Sequence, residues 1–259
     1  MTIRRPLILI TNDDGVSAKG IRILIEMTRS IGDVVVMAPS MNSSGKAHSF
    51  TGGRPLRVET VSKEAGCEIY TCDGTPVDCV KLAAEYFCPR KPDILLSGIN
   101  HGSNSSINIL YSGTMGAAME AAVGGMPAVG FSLLDFRADA DFEPVMPYVK
   151  FIILDVLEKG LPDDLSLNVN FPVPSDGKIK GVSVCRQSRA QWVDCYEKRI
   201  DPHGRPYYWL KGDFVCDDRG PGTDQWALEH DCVSIVPISP DFTDKEALGI
   251  LSNRYNSTV

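Results

Sequence analysis

Long apolar runs are missing from this sequence. No stretch reaches the roughly 18 residues that a membrane-spanning helix needs. The apolar segment nearest the N-terminus, residues 7–11, is broken at once by Asn12, Asp13 and Asp14, which leaves it too short for the core of an export signal. Positive charge is also scarce. With Lys+Arg 26 against Asp+Glu 33 the formal net charge is -7, so there is no basic field to displace counterions from a nucleic acid polymer. No Cys-x-x-Cys pair occurs among the 8 cysteines, so the usual thiolate zinc pattern is absent. Together with the lack of an export signal, this predicts reduced thiols in a cytoplasmic protein. Neither Gly-x-Gly-x-x-Gly after the first strand nor Gly-x-x-x-x-Gly-Lys-Ser/Thr is found, which disfavours a dinucleotide-binding dehydrogenase and a P-loop NTPase. Aromatics are only 8%, yet 259 residues at 43% hydrophobic suffice for one large α/β domain with an appendage.

What is present alternates between short apolar runs and helical patterns. Residues 7–11 and 33–38 read as buried strands on either side of a helix over 18–30, whose Ile21, Leu24, Ile25 and Thr28 share one face, giving a βαβ unit. A polar loop over 39–53 leads to strands at 56–61 and 67–72. Thr75 as N-cap, Pro76 at N1 and Asp78 at N3 predict a helix running to about residue 87. A strand at 93–97, a Gly, Asn and Ser segment at 98–113, a small-residue helix at 114–123, a strand at 128–133, a helix at 145–158 and a strand at 165–171 follow. The pattern predicts a Rossmann-like three-layer α/β core with a mostly parallel sheet over residues 1–173.

Beyond Pro172 the texture changes. Residues 181–187, 192–199 and 207–214 alternate like antiparallel strands, with a turn at 201–204, and predict a β-hairpin arm. A strand at 232–238 and a terminal helix over 243–255 complete a C-terminal extension, 174–259, within one structural domain overall. Trp192, Tyr196, Tyr207, Tyr208 and Trp209 lie on the arm, more aromatic surface than a small core needs, which points to a contact between subunits.

In open α/β sheets the ligand crevice lies beyond the carboxyl ends of the strands, and three such exits are polar here. The first is Asn12-Asp13-Asp14-Gly15. Adjacent carboxylates repel unless a cation or a helix N-terminus compensates, and such oxygen ligands suit Mg²⁺ or Mn²⁺. A turn capped by Asp fits the same residues equally well. The second exit, residues 43–49, offers Ser43, Ser44 and His48. His48 is a candidate acid for a leaving group, while a solvated loop with an idle histidine explains it as readily. At the third, Asn100 offers a neutral oxygen to a cation, and Ser112-Gly113-Thr114 opens a helix whose free amides suit a phosphate. Ser112 as a simple N-cap is the plainer alternative.

The strings Ile10-Thr11-Asn12-Asp13-Asp14-Gly15, Ala38-Pro39 with Ser44-Gly45, Gly74-Thr75-Pro76-Val77-Asp78-Cys79-Val80, Ser97-Gly98-Ile99-Asn100-His101-Gly102 and Tyr111-Ser112-Gly113-Thr114 together resemble, in order and spacing, the stationary-phase survival protein SurE family. The resemblance continues through Arg186-Gln187-Ser188 and Tyr207-Tyr208-Trp209 to Val233-Ser234-Ile235. It implies a 5'/3'-nucleotidase, able in some members to trim short polyphosphate. It further implies one divalent cation per subunit, Mg²⁺ or Mn²⁺, held by Asp13, Asp14, Ser44 and Asn100, with Ser43 offering a second hydroxyl beside Ser44. Homodimers or homotetramers tied by the C-terminal arm are also implied.

The resulting expectation is a metal-dependent phosphomonoesterase acting on nucleoside monophosphates. Asp13, Asn12 and His48 are its catalytic candidates, with Asn12 orienting water or ligands, and Ser112, Gly113 and Thr114 hold phosphate. Its rivals are a non-catalytic nucleotide sensor using the same pocket, and an interaction protein whose functional surface is the arm. Neither a nucleic acid polymer nor a membrane is expected as a partner.

Overall fold

The computed structural model describes residues 4–174 and 176–256. Its strands are β1 (Leu7–Thr11), β2 (Asp33–Pro39), β3 (Val58–Glu64), β4 (Cys67–Cys72), β5 (Ile94–His101), β6 (Ala128–Leu133), β7 (Ser166–Phe171), β8 (Gly181–Val184), β9 (Ala190–Ile200), β10 (Pro206–Cys216) and β11 (Cys232–Ile238). Its α-helices are α1 (Lys19–Thr28), α2 (Pro76–Leu82), α3 (Gly113–Val123), α4 (Met146–Lys159), α5 (Asp224–Glu229) and α6 (Lys245–Tyr255).

The main sheet has the order β3-β4-β2-β1-β5-β6-β7-β11-β8, and the run from β4 to β7 is parallel throughout. Counting only those parallel strands, the chain starts in the middle, winds outward to one side, returns to the centre and winds outward to the other. That is the doubly wound 3-2-1-4-5-6 order, whose connections diverge where the winding reverses and leave a crevice at the strand carboxyl ends. Here the reversal lies between β1 and β5, where Thr11 sits opposite Ser97. Topology alone therefore places the crevice over the residues that follow Thr11 and Ser97.

Successive side chains of β1 point to opposite faces and feed two cores. Ile8 and Ile10 pack with Ile21, Leu24 and Ile25 of α1 and Val149, Ile152 and Ile153 of α4. Leu7 and Leu9 pack with Cys79 and Val80 of α2 and Met115, Ala117 and Ala118 of α3. The result is the three-layer arrangement expected. Ile21 and Leu24 are both 0% exposed, and burial of each stabilises the docking of α1 by about 1.5–3 kcal/mol. At the start of α2, the Thr75 hydroxyl accepts the Asp78 N–H at 3.2 Å and Asp78 accepts the Thr75 N–H at 2.8 Å, the reciprocal cap that its sequence predicts.

Several elements differ from the reading of the sequence. Segment 98–113 is not one loop, because β5 continues to His101 and a 3₁₀ turn fills Ser106–Tyr111. Ile99 and Ile109 are buried and draw their neighbours into the fold. Residues 181–187 shrink to β8, which pairs parallel with β11, Gly181 opposite Cys232, rather than antiparallel. Alternation marks a half-exposed strand but carries no information about direction. Helix α5, capped by Thr223, was not anticipated. The hairpin of β9 and β10 does form, pairing from Pro206↔Ile200 to Cys216↔Ala190, and it stands apart from the main sheet. Among the described residues no helix is long and apolar enough to cross a membrane.

Helix α1 enters the fold in close contact with β5. A Cβ added to Gly20 would lie 2.0 Å from the carbonyl oxygen of Ile99, so Gly20→Ala is expected to destabilise by about 3 kcal/mol or more, the upper end for overpacking. Chemical denaturation checks this, and an unchanged midpoint would contradict the close approach.

Candidate active site at the strand reversal

Asp13 leaves β1 directly under the first turn of α3. It is 3% exposed, and Gly113 presses so closely on it that an added Cβ would meet the Asp13 Cβ at 2.8 Å. The Thr114 hydroxyl donates to Asp13 Oδ1 at 2.7 Å. From the loop after β2, the Ser43 N–H donates to the Asp13 carbonyl at 2.7 Å. Asp14 is half-buried, and its Oδ2 accepts the His101 N–H from the end of β5 at 3.4 Å. Beside His101, Asn100 is buried, and its amide donates to the Gly102 carbonyl at 2.8 Å. No donor among the described residues reaches its Oδ1. The three polar strand exits thus converge on one place.

Burial pushes the Asp13 carboxyl above its ordinary value; the Thr114 hydroxyl pulls it down and the neighbouring Asp14 pushes it further up. Burial raises Asp14 as well, against the His101 N–H and ring. No lysine or arginine among the described residues offsets either charge. The two desolvated acids stand side by side with only the His101 ring as a basic neighbour, and a cation from outside the chain would offset them. Among the described residues no three His, Cys, Asp or Glu side chains gather as a metal cluster. The oxygens on offer at this place are two carboxylates and neutral groups, a chemistry that fits a hard divalent cation.

Some residues singled out in the sequence have other partners. Asn12 is fully buried, donates to the Gly15 carbonyl at 3.0 Å and accepts the Gly15 N–H at 3.2 Å. Both ends of its amide brace the turn. His48 faces Glu120 of α3, Nε2 to Oε2 at 2.8 Å, while Lys81 holds the other Glu120 oxygen at 2.7 Å. Glu120 lies about 10 Å along the helix from Gly113 at 1.5 Å per residue. The Thr114 hydroxyl donates to Asp13 and Thr114 is 0% exposed, so the hydroxyl supports the carboxylate. Ser112 caps α3, its Oγ accepting the Met115 N–H at 3.0 Å, and keeps its own proton to donate. Ser44 is exposed, with its N–H on Asn42 Oδ1 at 2.7 Å and its hydroxyl unengaged among the described residues. Ser43 turns its hydroxyl to the Met41 carbonyl at 3.3 Å.

Sequence reasoning missed the polar floor beside the crevice. Asn104 donates its N–H to Asn170 Oδ1 and its amide to Ser132 Oγ, Asn168 donates to the Asn104 carbonyl, and Asn170 donates to Asn168, each at 2.8 Å. The available signal was Asn168 and Asn170, with Ser166, at alternate positions of the strand.

The model of the family described as Survival protein SurE matches residues 8–194, a span that contains every site residue named above. The chain belongs to the SurE family. A Flavobacterium psychrophilum protein named 5'-nucleotidase SurE is 52% identical over 250 residues, covering 96% of this chain and 97% of its own. A Christiangramia forsetii protein of the same name is 49% identical over 255 residues, with 98% of each chain covered. The crystal structure of the SurE protein from Aquifex aeolicus superposes with a TM-score of 0.81 at 37% identity, covering 96% of this chain and 99% of that one.

With the Thr114 hydroxyl on Asp13, Thr114→Val should act first on the cation site. Loss of a supporting hydrogen bond to a metal ligand weakens affinity by about 10- to 100-fold, so calorimetry should find Mn²⁺ binding reduced to that degree. Unchanged Mn²⁺ affinity would assign Thr114 back to the phosphate.

Proposed function

We propose that this chain is a divalent-metal-dependent nucleotidase. It hydrolyses nucleoside 5'-monophosphates, with 3'-monophosphates and short polyphosphate as further substrates, and holds Mg²⁺ or Mn²⁺ through Asp13, Asp14, Ser44 and Asn100. The observation that carries the reading is the desolvated Asp13 and Asp14 pair, with no lysine or arginine against it among the described residues, set against the N-terminus of α3. The names of the relatives, 5'-nucleotidase SurE, support the reaction class. The 8 cysteines, all unpaired, fit a reducing cytoplasm.

A bound divalent cation supplies charge neutralisation at a phosphoryl oxygen and lowers the pKa of a water. The protein's own groups do the rest. Thr114 and the Ser43 N–H hold Asp13 in one orientation, and His101 holds Asp14. The Gly113 N–H at the start of α3 meets a phosphoryl oxygen at the positive end of the helix dipole, and Ser112 donates its hydroxyl proton beside it. Purified protein given Mn²⁺ and a nucleoside 5'-monophosphate should release phosphate, stop with EDTA and recover when Mn²⁺ is restored. Nucleotide binding without turnover would favour the sensor.

The same reading makes the arm a subunit contact in a homodimer or homotetramer. Tyr196, Tyr208, Trp209 and Leu210 are each more than half exposed on it, an apolar surface that favours burial against another copy. Removal of residues 193–213, rejoined by a short turn, is expected to shift light scattering toward the monomer. An unchanged mass would contradict the contact.

A further inference from the structure

Asp224, the first residue of α5, is a carboxylate with 0% exposure and no part in the chemistry above. Its hydrogen bonds all come from uncharged donors, and the nearby positive charge is the Arg186 guanidinium. Oδ1 accepts the Ser188 N–H at 3.0 Å, the Ser188 hydroxyl at 2.6 Å and the Gln225 N–H at 2.8 Å, and Oδ2 accepts the Ser106 N–H at 2.7 Å. The two outer partners belong to different parts of the molecule. Ser188 lies two residues before the first strand of the arm, whereas Ser106 opens the 3₁₀ turn that ends at Tyr111 and hands the chain to Ser112 and Gly113.

Further ties run in parallel. The Ser106 hydroxyl donates to the Ser188 carbonyl at 2.9 Å, Gln225 donates to Ser105 Oγ at 2.6 Å, and Trp192 of the arm donates its indole N–H to Asn108 Oδ1 at 2.8 Å. At the far end of the turn, the Tyr111 carbonyl accepts the Ala47 N–H at 3.2 Å, which couples the turn to the loop bearing Ser44. Ser106 itself is held at φ 54, in the left-handed region that a serine occupies only under outside constraint.

We infer that Asp224 is a positioning residue that fixes the start of α3, and with it the phosphate cradle, to the root of the arm. The inference rests on the reading of that helix start as a phosphate site. A carboxylate is required because it accepts on both oxygens. Asparagine would keep its oxygen toward Ser188 and Gln225, where the donors are most numerous, and turn its NH₂ against the Ser106 N–H. Asp224→Asn would then release the cradle turn while leaving the arm root in place, and would reach Asp13 only indirectly, through Thr114.

The test titrates full-length protein, first with Mn²⁺ and then, once loaded, with inorganic phosphate. Folded Asp224→Asn is expected to lose phosphate affinity by about tenfold or more, with a smaller loss of Mn²⁺ affinity passed on through Thr114 to Asp13, and the KM for nucleotide should rise with the phosphate loss. Phosphate affinity equal to wild type, or a Mn²⁺ loss as large as the phosphate loss, would overturn the inference. Should Asp224→Asn fail to fold, Trp192→Phe, which keeps the ring and removes only the indole N–H, and Ser188→Ala are measured instead. A weakened phosphate affinity in both supports the clamp, and wild-type affinity in both overturns it. Wild-type protein that binds Mn²⁺ but no phosphate would overturn the cradle reading itself, and the inference along with it.

Discussion

Asp13→Asn and Asp14→Asn are each expected to keep the fold and to lower turnover by about a thousandfold or more, the scale of losing several kcal/mol of charge stabilisation at phosphorus. Each carboxylate supplies a formal negative charge that an amide cannot replace, so Mn²⁺ binding should weaken alongside turnover. Stability should move the other way. Burial raises both carboxyls above their ordinary values, which means the folded state disfavours their charged forms. Such a group destabilises the fold above its folded pKa, and the penalty fades as the pH falls through it. The metal-free Asn variants should therefore melt at or above the wild-type temperature at neutral pH, and the advantage should shrink on acidification. Calorimetry with Mn²⁺, a phosphate-release assay and a melting curve in EDTA check the three parts. A folded double variant with wild-type turnover would remove both the cation site and the mechanism built on it.

Which parts of this site were legible beforehand follows from the range over which each signal acts. Asp13, Asp14 and Asn100 could be singled out because strand exits are local features: an apolar run, then a polar break. The reciprocal cap of Thr75 and Asp78 was readable for the same reason. Partners were not. Thr114 meets Asp13 across 101 residues, Glu120 meets His48 across 72, and Asp224 meets Ser106 across 118. Each meeting depends on how closely packed elements settle, which periodicity does not encode. The carboxylate partners of the Thr114 hydroxyl and the His48 ring were therefore invisible in the sequence. The direction of β8 was hidden in the same way, since a parallel and an antiparallel edge strand alternate alike.

Gly113→Ala is expected to cost about a hundredfold in turnover, the scale on which an ångström of misplacement acts. Helix propensity alone predicts a benefit, because alanine is favoured over glycine within helices by up to about 1 kcal/mol. Gly249 of α6 provides that comparison: nothing lies within 4 Å of its added Cβ, and Gly249→Ala should be stabilising. At Gly113 the new methyl would lie 2.8 Å from Asp13 Cβ, 3.0 Å from Oδ2 and 3.3 Å from Cγ. Asp13 has little freedom to retreat, because the Thr114 hydroxyl holds its side chain and the Ser43 N–H its backbone. Either the start of α3 backs away from the crevice or Asp13 rotates and gives up its bond to Thr114. Both displace a proposed cation ligand relative to the proposed phosphate amide. The clash and the propensity gain oppose each other in stability, with overpacking at about 1–3 kcal/mol the larger, so the melting temperature should fall slightly while turnover and Mn²⁺ affinity fall far more. A Gly113→Ala protein with wild-type turnover and Mn²⁺ affinity would mean that the contact between α3 and Asp13 does not set the geometry of the reaction.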